Sequence, residues 1–333
     1  MFLHIPFSAK KVFAMILDNM ISTAKNIAIF GHVRPDGDCI GSCLGLYNYI
    51  IENYPEIDVQ VFAEPFPESF RLLNGADKIL PQYDGREIDL AFLLDTSSLD
   101  RCGACAAEAL VRAKRTCNID HHISNPLNLC DKNIVKDQAS SASEVLYTQM
   151  IADKVSQNTA NCIYLGIVHD TGAFKFSSTG KRTMNIVGDL IGKNCEFSRI
   201  INETYYTRTY KATRITGFAM ENSKLALEGK VIYSFVTPED LQHFDATPID
   251  LSSTIDVLRE VGGTEVAFFI YPANGQYKIS FRSNYIVDVN KIAAAFGGGG
   301  HQKAAGASIS GTPESVIPQL LEMIREQLQK SIS

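Results

Sequence analysis

Residues 26–42 read NIAIFGHVRPDGDCIGS, and this stretch decides the fold. Asn26 to Phe30 is a short apolar run, the right length for a buried strand and too short for a helix. A Gly/Pro/Asp-rich turn follows, after which Ile40, Leu44, Tyr47 and Ile51 recur on one helical face. Strand, loop and helix therefore come in that order. Working outward, Val59–Ala63, Leu90–Leu94 and Thr116–Ile119 are further short apolar runs, separated by segments long enough for crossover connections. Helices are expected over 140–153 and 159–169. This alternation predicts an α/β fold with a mainly parallel sheet flanked by helices.

Open sheets of this kind bind ligands at the carboxyl ends of their strands. The residues found there are His32, Asp95 and Asp120, so three separate strands end in side chains able to hold a cation. The first loop adds Asp36 and Asp38. A helix N-cap explains one of these aspartates and a turn the other, but neither explains the histidine beside them. Asp95 closes the run LAFLLD, where a carboxylate is either solvated or paired with something cationic. Asp120-His121-His122 ends the next strand, and Asp170 closes a helix, an end that the helix dipole makes unfavourable for an acid. Singly, Asp95 or Asp170 reads as an ordinary structural acid. Together, two histidines and four aspartates on one sheet edge match a hard, mixed nitrogen and oxygen site for manganese or magnesium. Two such ions sharing a carboxylate can activate a nucleophile and neutralise charge at an attacked phosphorus, which makes phosphate-ester hydrolysis the expected reaction.

At 333 residues the chain exceeds the usual size of one core. The expected division is 1–190 for the metal-binding unit, 191–222 for a helical connector containing Arg208, Lys211 and Arg214, and 223–333 for a smaller α/β unit with a mixed sheet. In that last part, 223–236 and 264–283 read as strands, the second pair joined by the hairpin signal Asn274-Gly275. Helices are expected over 250–260, 288–296 and the chain end, where Pro318 should kink or delay the last one.

A net charge of −6 argues against wrapping long duplex nucleic acid. No apolar run reaches the roughly 18 residues of a membrane span, and the opening MFLHIPFSAKKVFAMIL lacks the features of a signal peptide. The eight cysteines are scattered with no framework spacing, which points to reduced packing thiols and a cytoplasmic protein with no membrane partner. The sequence leaves a homodimer open.

The four motifs HVRPDGDCIGS from 32, LLDTSS around 95, IDHH ending at 122 and GIVHDTG around 170 resemble, in order, those of the DHH phosphoesterase superfamily. The stretch GGGGHQKAAGAS, 297–308, is similar to its accessory substrate-binding domain, DHHA1. The likeness spans about residues 15–325 and is strongest to the nano-RNase branch, which acts on short oligonucleotides and pAp. It implies two divalent ions, manganese before magnesium or cobalt. His32 and Asp36 would hold one, Asp38, His121 and Asp170 the other, with Asp95 bridging. Asp120 would orient a neighbouring imidazole, and His122 would contact the scissile phosphate.

In the second unit, the glycine run Gly297–Gly300 permits close backbone approach, and its amides, with Gly298, Gly299 and Gly300 leading to His301, are expected to cradle an anion. Tyr277, Ile279 and Phe281 alternate with Lys278, Ser280 and Arg282, so Arg282 should project from a polar face. The family likeness assigns Arg282 and Ser283 to a terminal phosphate or a base, with Arg101 a weaker candidate for the same work. The expected partners are short single-stranded RNA or DNA and nucleoside bisphosphates. Competing readings are an inorganic pyrophosphatase or polyphosphatase, a cyclic dinucleotide or linear pApA phosphodiesterase, and a regulator that has lost its chemistry. The intact ligand set disfavours the last.

Overall fold

The computed structural model describes residues 16–330; residues 1–15, which dominate the opening read for a leader, lie outside the described residues. Two compact units meet at Thr207/Arg208, inside the stretch read as a connector.

The first unit contains β1 (Asn26–Phe30), α1 (Gly37–Asn53), β2 (Asp58–Phe62), β3 (Ile79–Leu80), β4 (Leu90–Leu94), α2 (Gly103–Arg112), β5 (Thr116–Asp120), β6 (Lys132–Val135), α3 (Ala142–Tyr147), α4 (Gln157–Asp170), α5 (Lys181–Ile191) and α6 (Phe197–Ile201). Its sheet runs β3-β2-β1-β4-β5-β6 and every pairing is parallel. The chain builds outward from β1 to β3, then returns to lay β4 on the other side of β1. The strand order therefore reverses between β1 and β4, the point in an open α/β sheet where a crevice forms. Strands β1 and β4 are almost wholly buried because helices cover both faces, which is why they read as continuous apolar runs instead of alternating ones. Helix α1 lies directly on α4. A Cβ at Gly41 would come within 2.6 Å of the Cys162 carbonyl oxygen, so only glycine allows this approach.

The second unit contains α7 (Tyr210–Glu221), β7 (Lys224–Ala226), β8 (Val231–Phe235), α8 (Pro238–His243), α9 (Thr254–Arg259), β9 (Val266–Ala273), β10 (Gln276–Ser283), α10 (Val289–Ala295), β11 (Gly299–His301), β12 (Ala304–Ile309) and α11 (Pro313–Lys330). Its mixed sheet runs β11-β12-β10-β9-β8-β7, with β8 and β9 parallel and the remaining pairs antiparallel. Asn274 and Gly275 both have positive φ, 53° and 75°, as the tight β9–β10 turn requires. Phe268 and Phe281 on one face pack with Val289, Ile292 and Leu320, while Ala267 and Phe269 on the other pack with Ile215 and Ile255.

Two expectations are corrected here. The 140–153 helix is confined to Ala142–Tyr147, and α11 starts at Pro313 and runs through Pro318 without delay. Pro318 sits on the exposed side of that helix, so the amide it lacks is lost where water can serve the carbonyl one turn earlier. No helix among the described residues is long and apolar enough to cross a membrane, and all eight cysteines are free thiols.

Candidate metal centre

His32 follows β1, Asp95 follows β4 and Asp120 ends β5, so the crevice at the reversal of strand order is lined from three adjacent strands. Asp95 occupies its centre. Its φ is +53°, a left-handed conformation that an aspartate tolerates better than most residues, and its amide donates to the Ile119 carbonyl at 3.0 Å. The side chain is buried. One carboxylate oxygen, Oδ2, lies 3.4 Å from His32 Nε2, and the other, Oδ1, lies 3.6 Å from His121 Nε2. Oδ1 has no hydrogen-bond partner among the described residues. A buried carboxylate oxygen left in that state is costly unless a cation meets it.

Around this carboxylate the donors fall into two sets, His32, Asp36 and Asp95 on one side, and Asp38, His121 and Asp170 on the other, linked by a third, Asp95, His121 and His122, that shares one member with each. Within each set the ligand atoms lie within 4.8 Å of one another. His121 Nε2 is 3.3 Å from Asp170 Oδ2 and 4.0 Å from Asp38 Oδ2, and His32 Nε2 is 3.8 Å from Asp36 Oδ1. The six side chains named from sequence are thus brought to one place, and the donor set fits two hard divalent cations.

The electrostatics point the same way. Burial works against a charged His32, yet its hydrogen bonds to Asp36 and Asp95 hold the ring up at about 11. His121 is likewise held at about 10, burial being overcome by Asp95, Asp38 and Asp170. Burial and the neighbouring Asp95 and Asp170 push Asp38 well above the carboxylate range. Burial, with Asp95 and Asp36 nearby, lifts Asp170 to about 7. Such crowding of acids is relieved by positive charge, from protons or from metal.

The shell behind these groups explains their placement. Asp36 caps α1, its Oδ1 accepting from the amides of Asp38 at 3.0 Å and Cys39 at 3.1 Å. Asp38, almost fully buried, is gripped by the first turn of α3, with Ala142 N donating to Oδ2 at 2.6 Å and Ser143 N to Oδ1 at 3.0 Å. A Cβ at Gly166 would sit 2.6 Å from Asp38 Oδ1, so α4 needs glycine there to leave the carboxylate its place. Asp120 accepts from His122 Nδ1 at 2.7 Å and from Asn125 Nδ2 at 2.7 Å, so the imidazole it orients is that of His122. Arg101 is exposed, with Nη2 3.3 Å from His32 Nδ1. His169, next to Asp170, plays no such part: its ring packs over Gly37, its Nε2 meets Thr204 at 3.1 Å, and burial depresses it to about 4.

Sequence reasoning missed Asn125 and the α3 amides. The second had a signal, because Ser141-Ala-Ser-Glu144 is the S-x-x-E pattern of a helix start, where amides gather anions. Nothing in the spacing marks Asn125.

In the second unit, Arg282 and His301 both pair with Ala304, Arg282 across β10–β12 and His301 across β11–β12. The three residues therefore form one row on one face, with a small side chain in the middle. Arg282 Nε donates to Asp256 at 2.9 Å and its Nη1 to the Phe281 carbonyl at 3.1 Å, so part of the guanidinium is already engaged. Two expectations change. Ser283 is fully buried on the opposite face, its hydroxyl donating to Glu265 at 3.0 Å, because side chains alternate along β10 and Ser283 follows Phe281 into the core. Gly299 and Gly300 are not an open nest but belong to the exposed edge strand β11, and a Cβ on Gly298 would lie 2.2 Å from the Gly306 carbonyl oxygen. The glycines serve this strand's close approach to β12.

Comparison with known proteins agrees with this architecture. The family described as "DHH family, N-terminal domain" matches residues 26–167, and the "DHHA1 domain" matches 228–330. The "Bifunctional oligoribonuclease and PAP phosphatase NrnA" of Bacillus subtilis is 31% identical over 295 residues, covering 87% of this chain and 91% of that protein. A probable NrnA of Streptococcus mutans is 28% identical over 86% of this chain and 91% of its own length. The crystal structure of an exopolyphosphatase-related protein from Bacteroides fragilis superposes with a TM-score of 0.86 at 28% identity, over 96% of this chain and 98% of that one. With a DHH domain first, a DHHA1 domain second and identity sustained along most of both chains, the protein belongs to the DHH/DHHA1 phosphoesterase superfamily, on its nano-RNase branch.

Proposed function

We propose that the protein is a metal-dependent phosphoesterase that cuts short oligonucleotides, dinucleotides to pentanucleotides, into mononucleotides and converts pAp to AMP. The observation that carries this reading is the Asp95 carboxylate, buried between His32 and His121 with one oxygen toward each and Oδ1 without a hydrogen-bond partner among the described residues. In this reading His32 and Asp36 would hold one ion, Asp38, His121 and Asp170 would hold the second, and Asp95 would serve both. Manganese suits the mixed nitrogen and oxygen donors. The ions, when bound, supply Lewis acidity at the phosphate and at the attacking water.

The chain's own groups do the rest. Asp120 accepts the Nδ1 proton of His122 and raises that imidazole above its ordinary value, so a proton is available at Nε2 for the leaving oxygen. Arg101 adds a fixed positive charge beside His32 for a phosphate oxygen. Reduced thiols and a net charge of −6 accord with a cytoplasmic enzyme acting on small anionic fragments, not on long duplexes.

The test is a hydrolysis panel with manganese: pApA, pAp, pyrophosphate and cyclic di-AMP. Turnover of pApA and pAp well above the other two is expected. Preferential hydrolysis of pyrophosphate or of the cyclic dinucleotide would replace this reading with that activity.

A further inference from the structure

The turn that joins β10 to α10 is held more firmly than a surface connection needs. Every backbone amide from Ser283 to Val289 has a partner. Ser283 N donates to the Lys303 carbonyl at 3.0 Å, Asn284 N to the Glu265 carbonyl at 2.8 Å, Asp288 N to Gln327 Oε1 at 2.9 Å and Val289 N to the Gln302 carbonyl at 3.0 Å. The three amides between them, of Tyr285, Ile286 and Val287, all converge on the carboxylate of Glu265, at 3.1, 2.6 and 2.9 Å, and this carboxylate also receives the Ser283 hydroxyl. Glu265 is only 6% exposed, and a carboxylate is tolerated at that depth because these donors replace its water.

What this frame presents outward is apolar. Tyr285 is 80% exposed and Ile286 48% exposed, two consecutive large side chains on a turn whose backbone is fixed. A single exposed tyrosine is ordinary, but one held on a preorganised turn is ready to bind without further ordering. A lysine is tied to this turn. Lys303 Nζ donates to the Tyr285 carbonyl, and Lys303 lies between Ala304 and the exposed His301 and Gln302 on the β11–β12 connection. An exposed ring whose own main-chain carbonyl holds a lysine ammonium suits a ligand that carries an aromatic face and an anion close together, which describes a nucleotide.

We propose that Tyr285, presented by this turn with Lys303 held at its carbonyl, is a platform on which a nucleobase of the substrate stacks, so that the second unit grips a nucleotide by base and phosphate together. The inference rests on the oligonucleotide reading and adds to it a residue that recognises the base as distinct from the phosphates.

The test uses the full-length, manganese-loaded protein and two measurements. In the first, a 5′-phosphorylated dinucleotide carrying 2-aminopurine is titrated, because stacking on a ring quenches its fluorescence. Wild type and Tyr285→Phe should quench it, and Tyr285→Ala should bind it roughly 5- to 100-fold more weakly. In the second, KM is compared for pAp and for ribose 3′,5′-bisphosphate, the same anion without a base. Tyr285→Ala should raise KM for pAp by a similar factor and leave the baseless compound unchanged. Equal quenching by wild type and Tyr285→Ala, or equal effects on both bisphosphates, would overturn the platform. So would a change in oligomeric mass with nucleotide binding intact, which would make the patch a protein contact. If wild type quenches but hydrolyses neither pApA nor pAp, the oligonucleotide reading fails while the base platform stands.

Discussion

Metal binding at this centre should expel protons, and the number follows from its geometry. Without a cation, His32 and His121 are held at about 11 and about 10 by the carboxylates around them, so at pH 7 both imidazoles are protonated. A metal ligates only the neutral ring. Occupying both sides of Asp95 should therefore release about two protons from these rings, with more coming from Asp170, lifted to about 7. Two protons displaced in a common equilibrium make the overall affinity rise roughly 100-fold for each unit of pH, far more steeply than an ordinary histidine site near neutrality. The assay is calorimetric titration of manganese into chelator-treated protein at pH 7, in buffers of small and large ionisation enthalpy, repeated between pH 6 and 8. Stability should move oppositely in the metal-free protein. A histidine raised above its ordinary 6.5 contributes stability fully below that value and loses it as pH rises through its folded pKa. The chelated protein should consequently weaken between pH 6.5 and about 11, while the manganese form should not. Buffer-independent heats and a pH-independent affinity would show that these histidines do not meet the metal.

Three further outcomes are expected. Asp95→Asn keeps a residue that tolerates the left-handed backbone, so the fold should survive while turnover falls at least about 100-fold, equivalent to roughly 3 kcal/mol of lost transition-state stabilisation; near-normal rates would remove Asp95 from its bridging position. Glu144, a buried residue in the first turn of α3, accepts from Ser140 Oγ at 2.6 Å, Thr183 Oγ1 at 2.7 Å and Arg182, and so fixes the turn whose amides grip Asp38. Glu144→Gln should weaken manganese binding about 10-fold and lower stability by about 1–3 kcal/mol, and calorimetry with a denaturation curve would find either effect missing. Substituting Arg282 or His301 by Ala should raise KM for pAp with little change in kcat, because both sit in one row on the second unit's sheet and neither belongs to the acid and histidine cluster; a fall in kcat alone would move them to the chemistry.

The fold class was legible because buried strands announce themselves twice, by apolar content and by what ends them. The runs at 26–30, 90–94 and 116–120 are covered on both faces, so their composition leaves little alternative to a parallel sheet. The β9–β10 hairpin was equally plain, since Asn-Gly suits two consecutive positive φ angles. The short α3 was harder. Its six residues carry no full period of apolar spacing, and it ends where Thr148 and Gln149 turn back, a choice made by packing against α1 and α4 and not by local propensity.

The candidate site divides along the same physical line. His32, Asp36 and Asp38 are neighbours in one loop, so their convergence needs only local turn geometry, whereas the grip on Asp38 comes from amides more than a hundred residues away. That contact has no local signature except the serine that starts α3. Ser283 went astray for the opposite reason. Read beside Arg282 it looks like half of one binding pair, but adjacent residues on a strand face opposite ways, and the serine belongs to the face that Glu265 uses to hold the turn. The same alternation sends Arg282 outward into line with His301, so the step that removes Ser283 from contact with ligand is the one that aligns these two side chains. A substitution at Ser283 should therefore act through the Glu265 frame: Ser283→Ala removes one donor from a buried carboxylate, with an expected loss of about 1 kcal/mol in stability. It should leave KM for the baseless bisphosphate untouched, and a selective rise in that KM would return the serine to the ligand.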